Sequence, residues 1–79
     1  MLVAGLVIET VEGAAARVSA RLLQVPSLEV EGGDGVRRIA AVVTAPDAAA
    51  LEALGERLVA GDEEILGVFP TYVGEDAEP

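Results

Sequence analysis

The clearest structural pattern in this chain is a predicted β-hairpin at residues 28–45, Leu28-Glu29-Val30-Glu31-Gly32-Gly33-Asp34-Gly35-Val36-Arg37-Arg38-Ile39-Ala40-Ala41-Val42-Val43-Thr44-Ala45. Residues 28–31 alternate apolar and charged side chains, which is typical of a strand with one face in solvent. The glycine-rich segment 32–35 predicts a hairpin turn. Residues 37–45 form the return strand, and because they are apolar on both faces we expect them at the centre of a sheet.

A strand and a helix are predicted before this hairpin. Residues 2–8 are a continuous apolar run of strand length, so they predict a second central strand. A helix is expected over residues 11–24, with Thr10 as its N-cap. Pro26 ends this helix, because the residue before a proline is pushed out of the helical region. Glu29 and Glu31, on the strand that follows this helix, suit a sheet edge because charged side chains discourage pairing with another chain.

A second helix and a last strand are predicted after the hairpin. The helix opens at Pro46-Asp47, where Asp47 is a favourable N-cap, or a first-turn acid if Pro46 takes the first helical position, and it stops at Gly61. The acidic segment 62–64 is interpreted as a loop of solvated charges. Residues 65–73 predict a strand, which Pro70 confines to a sheet edge because proline lacks a ladder donor.

The predicted order is strand, helix, strand, strand, helix, strand. This order and the two central and two edge strands predict an α+β, ferredoxin-like βαββαβ fold. The sheet is expected to be four-stranded and antiparallel, in the order 4-1-3-2, with both helices on one face. Residues 1–73 would form this single domain, and residues 74–79 an acidic flexible tail.

The composition disfavours an enzyme. The chain has 79 residues and contains no cysteine or histidine, and all five of its basic residues are arginine. The remaining hydroxyl groups therefore have no histidine or lysine to activate them. We expect no catalytic residue, no metal site and no cofactor.

The net charge of −9 points to a basic partner. Such a field repels phosphate backbones and anionic membrane surfaces, so neither nucleic acid nor membrane is an expected partner. Acidity that only keeps a small domain in solution is the competing interpretation. The sequence shows no targeting segment and no apolar run of membrane-spanning length, so a cytoplasmic location is expected.

Strand periodicity predicts which side chains lie on the sheet face that the helices leave uncovered. The expected open face has a centre of small apolar residues and a border of carboxylates, a combination that usually marks a binding site. Burial of this face in a homodimer is the alternative of nearly equal weight. Phe69 and Tyr72 are expected to fill the core. The predicted peptide-binding residues on the open face are Val3, Gly5, Val7, Glu9, Glu29, Glu31, Ala40, Val42 and Thr44.

Short segments along the chain resemble the NapD family. The first is Val3-Ala4-Gly5-Leu6-Val7-Ile8, and the second is Glu29-Val30 after the turn Val25-Pro26-Ser27. The third is Val42-Val43-Thr44-Ala45-Pro46-Asp47, which leads into a leucine-striped helix. The segment Ile65-Leu66-Gly67-Val68 and the acidic tail are also similar to that family.

The resemblance implies a cytoplasmic assembly chaperone for the catalytic subunit of periplasmic nitrate reductase. Such a protein binds the twin-arginine signal peptide of the precursor and delays its export until the molybdenum cofactor is installed. The family fold is ferredoxin-like, and the peptide is thought to dock as a helix on the open sheet face. From strand periodicity we expect Glu9, Glu29 and Glu31 to pair with the arginines, while the small apolar residues contact the oily part.

Two other classes of function share the predicted order of elements. One is a small-molecule-binding regulatory module of the ACT or AsnC C-terminal type, which binds amino acids at a dimer interface. The other is a purely structural dimer subunit. A relative that serves a different molybdoenzyme is a further alternative within the chaperone class.

Overall fold

A computed structural model describes residues 1–75 as a β-α-β-β-α-β chain. The final four residues of the predicted acidic tail, 76–79, lie outside the described residues. The last strand continues through Gly74 and Glu75, two residues beyond its predicted end. The elements are β1 (Leu2–Thr10), α1 (Ala15–Leu22), β2 (Leu28–Gly33), β3 (Arg38–Ala45), α2 (Ala48–Gly61) and β4 (Ile65–Glu75).

The four strands form one antiparallel sheet in the order β2-β3-β1-β4. This arrangement confirms the predicted ferredoxin-like fold, with β1 and β3 at the centre. Pro70 lies on the edge strand β4, as expected of a residue that cannot donate a ladder hydrogen bond. Beside it the register shifts between Gly5 and Leu6, so Thr71 has no partner in β1 and forms a bulge.

The core lies between one face of the sheet and both helices. Alternate residues of β1 and β3 are buried there, including Ile8 and Ile39, and they pack with Val18 of α1 and Leu54 of α2. The periodicity used to divide β1 and β3 into inner and outer faces is therefore confirmed. Because both helices contribute to this one cluster, the opposite face of the sheet receives neither.

The β2–β3 hairpin turns where the glycines predict it. One carboxylate oxygen of Asp34 accepts hydrogen bonds from the backbone N–H groups of Val36, Arg37 and Arg38, each at 2.9 Å. These bonds stabilise the ionised carboxylate and lower the pKa of Asp34 to about 2. Gly35 has a φ of 77°, which glycine adopts without the steric cost that a side chain would add.

Helix α1 is shorter than predicted, and Thr10 is not its N-cap. Thr10 extends β1 opposite Ile65 of β4 and is buried, and its hydroxyl donates to the carbonyl of Val11 at 2.9 Å. Ala14 occupies the N-cap position without a side-chain hydrogen bond. Gly13 turns the chain with a φ of 85° before the helix begins. Pairing with β4 thus overrides the local capping signal.

Helix α2 begins as the sequence predicts. The Asp47 carboxylate accepts a hydrogen bond from the Ala50 N–H at 2.8 Å, which satisfies one of the free donors in the first turn. Such an N-cap contributes about 1 kcal/mol to stability. The helix ends at Gly61, the predicted stop.

The acidic segment 62–64 is not a loop of solvated charges only. Arg21 donates to both carboxylate oxygens of Asp62, at 2.8 and 3.0 Å, and to Glu64 at 2.8 Å. Arg17 pairs with the other oxygen of Glu64 at 2.6 Å. The two arginines on the exposed side of α1 therefore tie this helix to the loop before β4, a contact between residues far apart in sequence.

Unfolding is expected to become easier as the pH falls from about 4.5 towards 2. Hydrogen bonds from Arg17 and Arg21 lower the pKa of Glu64 from 4.5 to about 2. A carboxylate with a lowered pKa in the folded state stabilises the fold above its ordinary pKa, and this stability disappears as the pH falls through the folded value. Thermal melts followed by circular dichroism from pH 7 to pH 2 measure the effect.

The matched variants are Glu64→Gln and Glu63→Gln, which lie side by side in the same loop. Glu63 is exposed and takes part in none of the ion pairs among residues 1–75. In Glu64→Gln we expect the melting temperature to fall less between pH 4.5 and pH 2 than in the wild type. In Glu63→Gln we expect the same fall as in the wild type. If the melting temperature fell equally with pH in all three proteins, the Glu64 ion pairs would not contribute to stability.

Candidate functional site

The candidate site is the sheet face opposite the helices, which we call the open face. Within residues 1–75 no helix or strand is placed over it. The register brings residues of all four strands into transverse rows, because partners in antiparallel strands point to the same side. The rows are Thr44, Val3 and Gly74; Glu29, Val42, Gly5 and Tyr72; Gly32, Ala40, Val7 and Phe69; and Arg38, Glu9 and Gly67.

The centre of the open face is apolar, as predicted. Val3, Val7, Ala40 and Val42 are all half-buried, because each is packed against neighbouring strands and open to solvent above. They belong to the two central strands and lie in adjoining rows. Thr44, which closes this area at one end of β3, is exposed. The predicted apolar residues are therefore gathered on one surface.

Two aromatic side chains that were expected in the core lie on the open face instead. Phe69 is 52% exposed and Tyr72 is 55% exposed. Phe69 is the register partner of Val7, and Tyr72 is the partner of Gly5. The core-filling prediction for both residues is wrong, and β4 adds two rings to the predicted surface.

Tyr72 covers Gly5 and so removes part of the shallow floor that the sequence suggested. A Cβ built on Gly5 would collide with the Tyr72 ring and would lie 2.7 Å from the Thr71 hydroxyl oxygen. Gly5 is consequently buried although it is on the outer side of β1. An aromatic ring over a glycine of the neighbouring strand fills the space that the missing side chain leaves.

Phe69 shows the same relation to a glycine within its own strand. A Cβ on Gly67 would lie 2.7 Å from the Phe69 ring, so this ring leans along β4 over Gly67. Gly67 is the register partner of Glu9. The ring of Phe69 therefore lies at the end of the open face that carries Glu9, and the ring of Tyr72, over Gly5, lies two rows further along.

The predicted carboxylates differ in their placement. Glu29 is exposed on the edge strand β2, in the same row as Gly5 and Tyr72. Glu9 is half-buried on β1, with Arg38 as its partner in β3. Neither carboxylate takes part in any ion pair formed within residues 1–75, so both are available to a basic ligand.

Glu31 does not follow the alternation that placed it beside Glu29. The register between β2 and β3 shifts between Val30 and Gly32, which leaves Glu31 in a bulge without a partner in β3. Glu31 is exposed there. Strand periodicity therefore no longer assigns Glu31 to the open face.

In the described part of the chain, the ionisable side chains of the open face do not form a cluster of possible metal ligands. Among the residues that the structure describes, no group of three or more carboxylates could hold a metal ion. Thr10, the buried polar residue among residues 1–75, lies on the inner side of β1, and its hydroxyl donates to a backbone carbonyl. No helix within residues 1–75 has both the length and the apolar character needed to cross a bilayer.

The fold and this surface define a ferredoxin-like α+β domain with one uncovered sheet face. Comparisons of the chain with protein-family models, with curated proteins and with solved structures give no match.

Proposed function

We propose that this chain is an assembly chaperone of the NapD type. In this proposal its open face binds the twin-arginine signal peptide of a periplasmic nitrate reductase precursor in the cytoplasm, and delays export until the molybdenum cofactor is inserted. The observation that carries the proposal is the combination of unpaired carboxylates with a half-buried apolar centre on one uncovered face. A signal peptide offers the complementary pair of properties, since its arginines are followed by an apolar stretch.

The apolar centre of the open face supplies the contact area for the apolar stretch of the peptide. The side chains of Val3, Val7, Ala40 and Val42 are small, so a helix can approach the sheet closely along β1 and β3. Burial of apolar surface contributes about 25 cal/mol per Å² removed from water. This contact favours binding of any apolar helix, so it provides affinity but little selectivity.

Selectivity for arginine comes from the border of the open face. Glu9 and Glu29 can accept charge-assisted hydrogen bonds from guanidinium groups. Phe69 and Tyr72 present exposed rings to the same side, and a guanidinium group over an aromatic face gains about 0.5–1 kcal/mol at an exposed site. Arginine, which is planar and weakly hydrated, uses both kinds of contact better than lysine does.

The proposal predicts that a synthetic twin-arginine signal peptide binds the chain more weakly as salt is added. Exposed charge pairs are screened over about 8 Å at physiological ionic strength. We therefore expect the dissociation constant to rise roughly tenfold between low and high salt, because two attractions of about 1 kcal/mol are largely lost. Isothermal titration calorimetry at several salt concentrations measures this dependence.

The control peptide carries glutamine in place of both arginines and should show weaker, nearly salt-independent binding. Thermal-shift measurements with the free amino acids test the regulatory-module alternative in the same samples. Stabilisation by an amino acid without binding of the twin-arginine peptide would contradict the proposal. Sedimentation as a dimer that the peptide fails to dissociate would assign the open face to self-association.

A further inference from the structure

A groove on the helix side of the sheet is separate from the open face. It lies between α2 and β4 and has a volume of about 720 Å³. One wall is the side of α2 that carries Leu51, Gly55 and Val59, and the other includes Val68 and Val73 of β4. Val59 and Val73 are 40% and 50% exposed, so the apolar lining is open to solvent.

Gly55 is the residue that suggests that another molecule binds in the groove. It lies in the interior of α2, where glycine is less favourable than alanine. A Cβ at this position would have Val68 Cγ1 as its nearest neighbour at 3.9 Å, which is an ordinary contact distance. The packing of the protein itself therefore does not require glycine here. Its absent side chain leaves the middle of the groove wall open for something else to approach.

The groove wall also carries charge. Glu52 and Glu56 belong to its lining, one helical turn apart, and both are exposed. Neither takes part in the ion pairs formed within the described part of the chain. A second copy of this chain is a poor occupant, because symmetric pairing along α2 would bring these carboxylates together in a molecule of net charge −9.

We propose that the groove between α2 and β4 docks an amphipathic helix of a partner protein that carries basic residues one turn apart. Its apolar stripe would cover Leu51, Gly55 and Val59, in the manner of other helix-in-groove complexes. Its basic residues would face Glu52 and Glu56. A twin-arginine motif does not meet this requirement, because adjacent residues point about 100° apart around a helix.

The probe is a synthetic helical peptide with a leucine stripe and two arginines four residues apart beside it. We expect Gly55→Leu to weaken its binding by at least about tenfold, because the side chain occupies the groove. Glu52→Gln with Glu56→Gln should weaken binding roughly tenfold through the loss of two attractions. The double variant Glu12→Gln with Glu63→Gln removes the same net charge elsewhere and should change binding much less.

Gly55→Ala separates docking from a structural role. The substitution should raise the melting temperature of the free protein, since alanine favours the helix, and should weaken peptide binding, since the methyl group enters the groove. Gly61→Ala, at the end of the same helix and outside the groove lining, is the matched control and should leave binding unchanged.

The inference is overturned if wild-type protein does not bind the probe, or if binding is the same in Gly55→Leu. It is also overturned if amide chemical shifts change on the open face rather than along α2, or if Gly55→Leu converts a dimer to a monomer. None of these outcomes depends on whether the open face binds a twin-arginine peptide.

Discussion

Replacing Glu9 and Glu29 together by arginine is expected to weaken binding of a twin-arginine peptide by about 100-fold or more at low salt. Each replacement exchanges an attraction of about 1 kcal/mol for a repulsion of similar size. Two replacements therefore cost about 3–4 kcal/mol, and each 1.4 kcal/mol is a factor of about ten in affinity. Isothermal titration calorimetry in low-salt buffer measures the loss.

A control variant must separate the local contacts of Glu9 and Glu29 from the effect of the net charge of the protein. Glu12 and Glu63 are exposed and belong to no ion pair within residues 1–75, and neither lies in the rows of the open face. Their joint replacement by arginine changes the net charge by the same amount. We expect a loss of about tenfold or less in this control. Equal losses in the two double variants would show that Glu9 and Glu29 do not contact the peptide.

Gly5→Ala is expected to destabilise the fold by about 1–3 kcal/mol. The new methyl group collides with the Tyr72 ring, which has to leave its position over β1, and overpacking of this kind costs an amount in this range. Chemical denaturation in urea measures the change in the free energy of unfolding. Tyr72 fluorescence reports whether the ring has moved into solvent.

The same substitution should cost much less once the ring is gone. In a Tyr72→Ala background the new methyl group meets only the Thr71 hydroxyl oxygen, 2.7 Å away, which can rotate aside, and the usual gain of alanine over glycine, about 0.5–1 kcal/mol, offsets that cost. A double-mutant cycle of Gly5 and Tyr72 isolates this coupling. An additive cycle would show that the ring does not pack on Gly5 in solution.

Much of the fold could be predicted because local signals agree with tertiary structure. Residues 38–45 are apolar on both faces and form a central strand. Asp47 caps the helix that the leucine spacing predicts. The inner and outer faces of β1 and β3 follow from simple alternation, since both strands run without a bulge where they pair.

The sequence could not predict features that depend on pairing between distant strands. Alternation along an unbroken β4 would turn Tyr72 towards the core, because Val68 and Pro70 point inward. The bulge at Thr71 resets this alternation, and it exists only in the register with β1. The bulge at Glu31 has the same effect in β2. Proline and glycine within a strand are local signals of such an irregularity, and Pro70 and Gly32 adjoin the two bulges here.

Two further predictions from the sequence were wrong for the same reason. Thr10 and its neighbours have the local pattern of a helix N-cap, but Thr10 pairs with β4 and extends β1. The carboxylates of the loop before β4 look solvated in sequence, but α1 brings Arg17 and Arg21 onto Asp62 and Glu64. Contacts between segments separated by more than 40 residues leave no local pattern.

Binding of the twin-arginine peptide to the open face can be mapped by titrating ¹⁵N-labelled protein with that peptide and following the amide chemical shifts. We expect the largest changes in the open-face rows, at Val7, Val42 and Tyr72, with the carboxylate side of β2 included. Changes confined to α1 and α2, with these rows unaffected at saturation, would show that the peptide does not bind to the open face.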